Sequence, residues 1–379
     1  MAAASPLLEE PGRLIRLQRY LAADPTNLRL MADAAAAAHD EGDYVTAAEL
    51  LDRHEELAQL PPSLRNLEGL GALSTGRFEE ARDIFVALAA ERADDPAVLF
   101  NLAWAHSGLG DHEAAYDLVN EEVVAAMGAA AATLKVRSLH HLGRLEEALE
   151  AGAAFAEAFP EEKPLMGALA LAALDAGQAE LAASFARRGG DHPEGLSAAG
   201  LLMMNEGRSE DAEALFDDVL ARRPDSARAL VGKGLSLVSS GKAEAGAAFL
   251  QRGAELFGDH LGSWVAAGWA RYVAGDLPGS RKLFERSMAI DDSFAENHGA
   301  LAVLDIAQGD LESARRRTDI ALRLDARCFS GALARSMLLE LDGKGDAAQR
   351  VRELALKTPI GTSGQTIGAA MMTMAAKRR

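Results

Sequence analysis

The chain has 379 residues, which suffices for two or three ordinary domains or for one elongated repeat array. Aromatic residues make up only 5% of it, and the abundance of alanine, leucine and glycine favours closely packed helices over strands. A formal charge of −18 opposes the binding of nucleic acid and of anionic membranes, so we expect neither as a partner.

The negative charge is concentrated in the N-terminal half of the sequence. Residues 1–190 carry 31 acidic and 15 basic side chains, net −16, whereas residues 191–379 carry 26 and 24, net −2. A partner with basic character would therefore be drawn to the N-terminal half.

Cys328 is the only cysteine, which excludes a disulfide framework and a cysteine-based metal site. The first residues lack the basic and long apolar stretches of a targeting peptide, and no run approaches the roughly 18 apolar residues of a membrane span. These features predict a cytoplasmic protein without an integral membrane segment, or a periplasmic one if a leader was removed before this numbering.

The first predicted element is a helix over residues 13–25, RLIRLQRYLAADP, which closes at Pro25. We assign residues 1–27 to an N-terminal segment that contains this helix. The helix is expected to cap the repeats that follow, because the terminal unit of an array has only one neighbour to cover it.

A repeat of ten units begins at residue 28. Each unit has an apolar, alanine-rich predicted helix, a Gly-polar turn and a second predicted helix. Glycine suits the left-handed residue that ends a helix, and a small residue five positions later lets the two helices approach closely. Successive turn glycines are 34 residues apart, except for one interval of 33 and one of 30. The turn glycines are Gly42, Gly76, Gly110, Gly143, Gly177, Gly207, Gly241, Gly275, Gly309 and Gly343.

The 30-residue interval coincides with FARRGGDHPEG, where the second helix of the fifth unit loses about one turn. We therefore group residues 28–192 as repeats 1–5 and residues 193–360 as repeats 6–10, with a change of direction between them. A rigid kink is favoured over a hinge, because both sides keep apolar faces to stack. Residues 361–379 are expected to form a tail or a capping helix, with a membrane-binding or partner-binding tail as the alternative.

The units also share a residue motif when each is counted from fourteen residues before its glycine. The matching residues are Trp264 at position 4, Ala199-Gly200 and Ala267-Gly268 at positions 7 and 8, Phe85, Phe216 and Phe284 at position 24, and Pro160 and Pro224 at position 32. This pattern resembles the tetratricopeptide repeat over residues 12–360. The resemblance implies an all-α fold, a right-handed superhelical solenoid of about ten tetratricopeptide-like helix pairs. It also implies that the first helix of each unit faces a concave surface through positions 2, 5, 9, 12 and 13.

Those positions are mostly apolar in this sequence, and the tryptophans at position 9 look too large to pack between alanine-rich helices. Contiguous exposed apolar surface usually marks an interaction site, so we predict a concave groove that binds a partner. Its predicted residues are Leu70, Leu73, Phe100, Trp104, Arg137, His140, His141, Leu171, Leu201, Met204, Leu235, Val265, Trp269 and Tyr272.

The predicted function is that of a non-catalytic scaffold, or an assembly or chaperone factor, which holds a peptide or amphipathic helix of another protein. The alternative is a self-assembling structural protein whose apolar face is buried in a homo-oligomer. Neither function needs a cofactor. The chain lacks the phosphate-binding, nucleophile-elbow and dinucleotide-binding motifs of common enzymes, so we expect no catalysis.

Arg137, His140 and His141 form a polar rung on the otherwise apolar predicted groove. Adjacent histidines on a helix point about 100° apart, so the pair cannot chelate one ion as histidines four residues apart do. No metal or catalytic site is therefore predicted. We expect the polar rung to set the register of a bound segment by meeting an acidic or carbonyl group.

Overall fold

The computed structural model describes residues 12–357, which form 22 α-helices and no strand. The all-α prediction is confirmed. The predicted tail or capping helix, residues 361–379, lies outside the described residues. The helices are α1 (Arg13–Ala23), α2 (Leu28–Asp40), α3 (Tyr44–Glu55), α4 (Pro62–Ser74), α5 (Phe78–Glu91), α6 (Pro96–Gly108), α7 (His112–Leu118), α8 (Glu121–Met127), α9 (Ala129–His141), α10 (Leu145–Ala158), α11 (Lys163–Asp175), α12 (Ala179–Gly189), α13 (Pro193–Asn205), α14 (Ser209–Arg222), α15 (Ala227–Ser239), α16 (Ala243–Phe257), α17 (Leu261–Val273), α18 (Leu277–Ile290), α19 (Ala295–Ala307), α20 (Leu311–Leu324), α21 (Phe329–Leu341) and α22 (Gly345–Leu356).

The chain divides into two compact units, of which unit 1 ends at Phe159 and unit 2 begins at Pro160. This boundary differs from the division after residue 192 that the shortened interval suggests. Residues 1–159 carry 27 acidic and 12 basic side chains, net −15, and residues 160–379 carry 30 and 27, net −3. Within the described range, no helix combines the length and the apolar character needed to cross a membrane.

The first helices of the ten repeats are uniform. Each has 13 residues and begins fourteen residues before its turn glycine. All ten turn glycines have φ values between 71° and 84°. The residue after the glycine donates its N–H to the carbonyl five positions back, as Asp43 does to Ala38 at 2.8 Å. A Cβ on Gly42 would meet no atom within 4 Å, so the backbone conformation, and not lack of space, requires glycine there.

Local capping explains where several helices begin. The Asn27 side chain accepts the Leu30 N–H at 3.0 Å and starts α2, and the Asp43 side chain accepts the Thr46 N–H at 3.0 Å and starts α3. Proline occupies the first position of α4, α6 and α13, where its missing N–H costs no helical hydrogen bond.

Small residues bring the two helices of a repeat together. The residue five positions after each turn glycine is buried in all ten repeats. Where this residue is Gly246, an added Cβ would lie 2.6 Å from the Gly234 carbonyl oxygen. The fully buried ring of Phe284 lies against Gly268, where an added Cβ would come within 2.3 Å of the ring. The motif residues thus pack a large ring against a position without a side chain.

The third repeat departs from the simple helix pair. Its second helix is split into α7 and α8, of seven residues each, with Val119 and Asn120 between them. Lys135 on α9 donates from Nζ to the Val119 carbonyl at 2.8 Å, and Asn120 caps α8 by accepting the Val123 N–H at 2.9 Å. The prediction of one continuous second helix is therefore wrong for this repeat. The break is stabilised because the Lys135 side chain, from the next repeat, satisfies the Val119 carbonyl.

Glycines bring α11, α12 and α13 into backbone contact at the 30-residue interval. Helix α12 ends at Gly189 after 11 residues, and Gly190 turns the chain with a φ of 56°. A Cβ on Gly189 would lie 3.3 Å from the Gly167 nitrogen and 3.4 Å from the Gly195 Cα. The chain therefore makes a close-packed bend at the shortened interval, and this bend lies inside unit 2.

Candidate partner-binding surface

The fourteen predicted groove residues differ widely in exposure. Phe100, Leu171 and Val265 are buried, at 5%, 7% and 8% exposure, and belong to the core. Trp104 is 47% exposed, and His141 is also exposed. The half-buried residues are Leu70, Leu73, Arg137, His140, Leu201, Met204, Leu235, Trp269 and Tyr272.

In unit 1 the predicted residues come from α4, α6 and α9, the first helices of three consecutive repeats, and α6 contacts both of the others. Phe100 packs edge-on against the Trp104 ring, with the ring centroids 5.7 Å apart. A buried phenyl ring thus holds an exposed indole in place. We name this region the Trp104 surface, and its residues are Leu70, Leu73, Trp104, Arg137, His140 and His141, with the buried Phe100 ring packed against Trp104.

His112, the first residue of α7, stacks on His141 of the polar rung. The two ring centroids are 4.2 Å apart with an interplanar angle of 9°, and the His140 centroid lies 5.8 Å from that of His141. Burial lowers the pKa of His112 from its usual 6.5, although Asp111 acts in the opposite direction. The signal for this contact is present in the sequence, because His141 stands two residues before one turn glycine and His112 two residues after the preceding one.

The stacked histidines do not converge on a metal ion. The lone pairs of imidazole nitrogens lie in the ring plane, and the nearly parallel rings of His112 and His141 direct them along separate planes. Among residues 12–357, no group of three or more His, Cys, Asp or Glu side chains is arranged to hold a metal. The geometry suits the rings for hydrogen bonding and stacking.

In unit 2, Trp269 lies in packed surroundings. Its ring makes edge contacts with Tyr272 and Phe284, each with the centroids 5.5 Å apart. It also packs against a buried cluster that includes Ala302 and Ala334. The expectation that a tryptophan at position 9 is too large to pack between these helices is therefore wrong for Trp269, because the neighbouring repeats present small residues to the ring.

The other half-buried residues of unit 2 also pack on core clusters. Leu201 and Met204 lie against the cluster around Phe216, and Leu235 lies against the cluster around Leu250. In unit 2 many of the apolar residues predicted to line the groove therefore pack between successive repeats.

A polar contact on the first helices of unit 2 is missed by the sequence analysis. Asp175, at position 13 of repeat 5, and Arg228, at position 2 of repeat 7, form a hydrogen-bonded ion pair. Both positions belong to the set that the resemblance assigns to the concave face. Reading positions 2 and 13 in every repeat would have found the two charges, but not that repeats 5 and 7 meet.

Comparison with known proteins agrees with the helical repeats. The family model described as tetratricopeptide repeat matches residues 66–130 and 197–260. A TPR repeat-containing protein of Pseudomonas aeruginosa is 35% identical over 84 residues, which amount to 22% of this chain and 76% of that protein.

Two solved structures share the fold over most of their length. A chain of the human IFIT1 dimer with PPP-AAAA superposes with a TM-score of 0.54 and 14% identity, over 92% of this chain and 95% of that chain. A chain of the APC/C hetero-tetramer Cut9–Hcn1 superposes with a TM-score of 0.50 and 14% identity, over 97% of this chain and 87% of that chain. At these identities the similarity concerns the fold alone. The helical repeats, the family model and the bacterial relative together show that the chain belongs to the tetratricopeptide repeat family.

Proposed function

We propose that the protein is a non-catalytic scaffold, or an assembly or chaperone factor, which holds a helical or extended segment of a partner protein on the Trp104 surface. The tetratricopeptide fold supports a role in protein interaction generally. The observation that carries the specific proposal is the 47% exposure of Trp104 beside the buried ring of Phe100. Tryptophan is a frequent anchor of protein interfaces, because it buries a large area with few rotatable bonds.

The polar rung supports the choice of unit 1 over unit 2. Arg137 alone carries five N–H donors, and His140 and His141 add ring nitrogens beside it on α9. These groups suit a partner segment that presents carbonyl or carboxylate oxygens next to an apolar anchor. The net charge of −15 on residues 1–159 favours, at longer range, a partner with basic character.

Photocrosslinking tests the proposed surface directly. We expect the full chain with p-benzoylphenylalanine at position 104 to crosslink to a defined partner protein in cells of its source. The matched control carries the same label at Val86 on α5, which is 50% exposed in the same unit. Crosslinks of equal yield from both positions would mean that Trp104 is ordinary surface and would reject the proposal.

Substitution then measures how much the indole contributes to binding. Once the partner is identified, Trp104→Ala is expected to weaken its affinity at least tenfold, as loss of an interface anchor does. Val86→Ala is expected to leave the affinity unchanged. An affinity that falls equally in the two variants would show a general loss of structure instead of a lost anchor.

The polar rung is tested by replacing Arg137, His140 and His141 together with alanine. We expect weaker binding, because the donors that would meet carbonyl or carboxylate oxygens of the partner are gone. An unchanged affinity in this triple variant would remove the polar rung from the proposal.

Self-assembly is the alternative outcome of these experiments. In that case position 104 would crosslink to a second copy of the same chain. Light scattering would then show an oligomer whose mass does not change with concentration and which Trp104→Ala dissociates. This result would assign the Trp104 surface to a homo-oligomer instead of a partner segment.

A further inference from the structure

Asp175 and Arg228 join repeats 5 and 7 of unit 2, although 53 residues of sequence separate them. Arg228 Nη1 lies 3.2 Å from Asp175 Oδ1, and Arg228 Nη2 lies 3.0 Å from Asp175 Oδ2. The arginine side chain is 29% exposed and the aspartate side chain 36%. Two parallel hydrogen bonds fix the orientation of the guanidinium relative to the carboxylate as well as its position.

Each of the two charges stands at the unfavourable end of its own helix. Asp175 is the last residue of α11, and Arg228 is the second residue of α15. The carbonyl end of a helix carries partial negative charge and the N–H end partial positive charge, so each helix alone would favour the opposite residue type. The ion pair brings these two opposite charges together and offsets the unfavourable placement of each.

The glycine contacts of the shortened interval lie between the two paired repeats. A Cβ on Gly167 of α11 would come within 3.1 Å of the Gly195 nitrogen of α13, so these helices meet backbone to backbone. His260, which caps α17 of repeat 8, is close enough to respond to both charges. Burial and then Arg228 lower the pKa of His260, and Asp175 raises it.

We propose that the Asp175–Arg228 pair is a clasp that holds the bend of unit 2 closed, and that breaking it lets repeats 5 and 7 move apart. Helices α11 and α13 stay in contact during this movement, because their backbones already touch at Gly167 and Gly195. The clasp is half-exposed, so salt screens it and opens the bend. Leu201 and Met204 lie on α13 between the clasped repeats, and opening uncovers more of their side chains. This inference concerns unit 2 and does not depend on the Trp104 surface.

Distance measurement between repeats 5 and 7 tests the clasp. Glu180→Cys on α12 and Glu255→Cys on α16 place spin labels at two exposed positions, while Cys328 is only 1% exposed and escapes labelling. In the full chain we expect Asp175→Ala and Arg228→Ala each to lengthen and broaden the distance distribution. Hydrogen exchange of α13 and α15 amides should rise up to about fivefold, the range expected for a partly exposed ion pair.

The exchanged pair, Asp175→Arg with Arg228→Asp, separates the clasp from other effects of substitution. It restores the ion pair and places each charge at the favourable end of its helix, so we expect the wild-type distance or a narrower distribution. Lys163→Ala is the matched control, because it removes the ion pair of Lys163 with Asp191 at 2.7 Å in the same region. We expect it to leave the distance unchanged.

Two results would overturn the clasp: unchanged distances in both alanine variants, or an exchanged pair that behaves like them. If an alanine variant does not fold, the unsubstituted labelled chain decides the question. Its distance distribution must broaden between 0.1 M and 1 M salt for the clasp to stand, and a constant distribution would reject it.

Discussion

Trp104 in unit 1 and Trp269 in unit 2 occupy the same position of the repeat and have different surroundings. Trp104 touches Phe100 and is 47% exposed, whereas Trp269 is half-buried between Tyr272 and Phe284. A repeat position determines the direction in which a side chain points, but the neighbouring repeats determine whether anything meets it. The same residue type at the same position therefore packs against its neighbours in one unit and is about half exposed in the other.

Replacing each tryptophan with alanine should give the largest difference in stability between the two units. We expect Trp269→Ala to lower the free energy of unfolding of unit 2 by about 3 kcal/mol, since it leaves a cavity among packed rings. Trp104→Ala should cost less than about 1 kcal/mol, because half of the indole is already in water. Hydrogen exchange under native conditions measures each unit separately. Equal losses in the two variants would contradict the difference in packing.

A pair of glycine substitutions tests the packing of the two units with a smaller change. Gly268→Ala should destabilise unit 2 by about 1–3 kcal/mol, because the new Cβ would lie 2.3 Å from the Phe284 ring. Gly71→Ala on α4 should stabilise unit 1 by about 0.5–1 kcal/mol, since a Cβ there meets no atom within 4 Å and alanine favours the helix. Thermal unfolding followed by circular dichroism measures both. A loss of stability in the Gly71→Ala variant would show that the space beside Gly71 is filled.

Mild acid should lower the free energy of unfolding of both units, through His112 in unit 1 and His260 in unit 2. Burial lowers the folded-state pKa of His112 and of His260 from the ordinary 6.5, so both histidines favour the neutral form in the folded state. The unfolded chain then binds more protons near pH 6, and the stabilisation present above pH 6.5 is lost as the pH falls through the folded pKa values.

The pH effect can be assigned to one unit by substitution. His260 caps α17 by accepting the Ser263 N–H at 3.2 Å, and asparagine provides a cap that does not titrate. Hydrogen exchange at pH 7.5 and pH 5.5 should therefore show that His260→Asn removes the acid sensitivity of α17 and leaves that of α7 in place. Loss of sensitivity in both helices would indicate a global effect of acid.

The sequence predicts the repeat unit well because its signals are local. A turn glycine needs only its own backbone conformation, and the small residue five positions later needs only its partner helix in the same repeat. The candidate surface is predicted less well. The motif places Phe100, Leu171 and Val265 on the same face as Trp104, but those three are buried by contacts with their neighbours.

The sequence by itself determined the all-α fold, the ten turns and the family, because periodicity, glycine and small residues act within about 34 residues of one another. Only the tertiary structure decided which tryptophan is exposed, that His112 stacks on His141, and that Asp175 meets Arg228. Each of these depends on how one repeat is rotated against the next. That rotation results from many small contacts, such as those of Gly167 with Gly195, and no single motif encodes it.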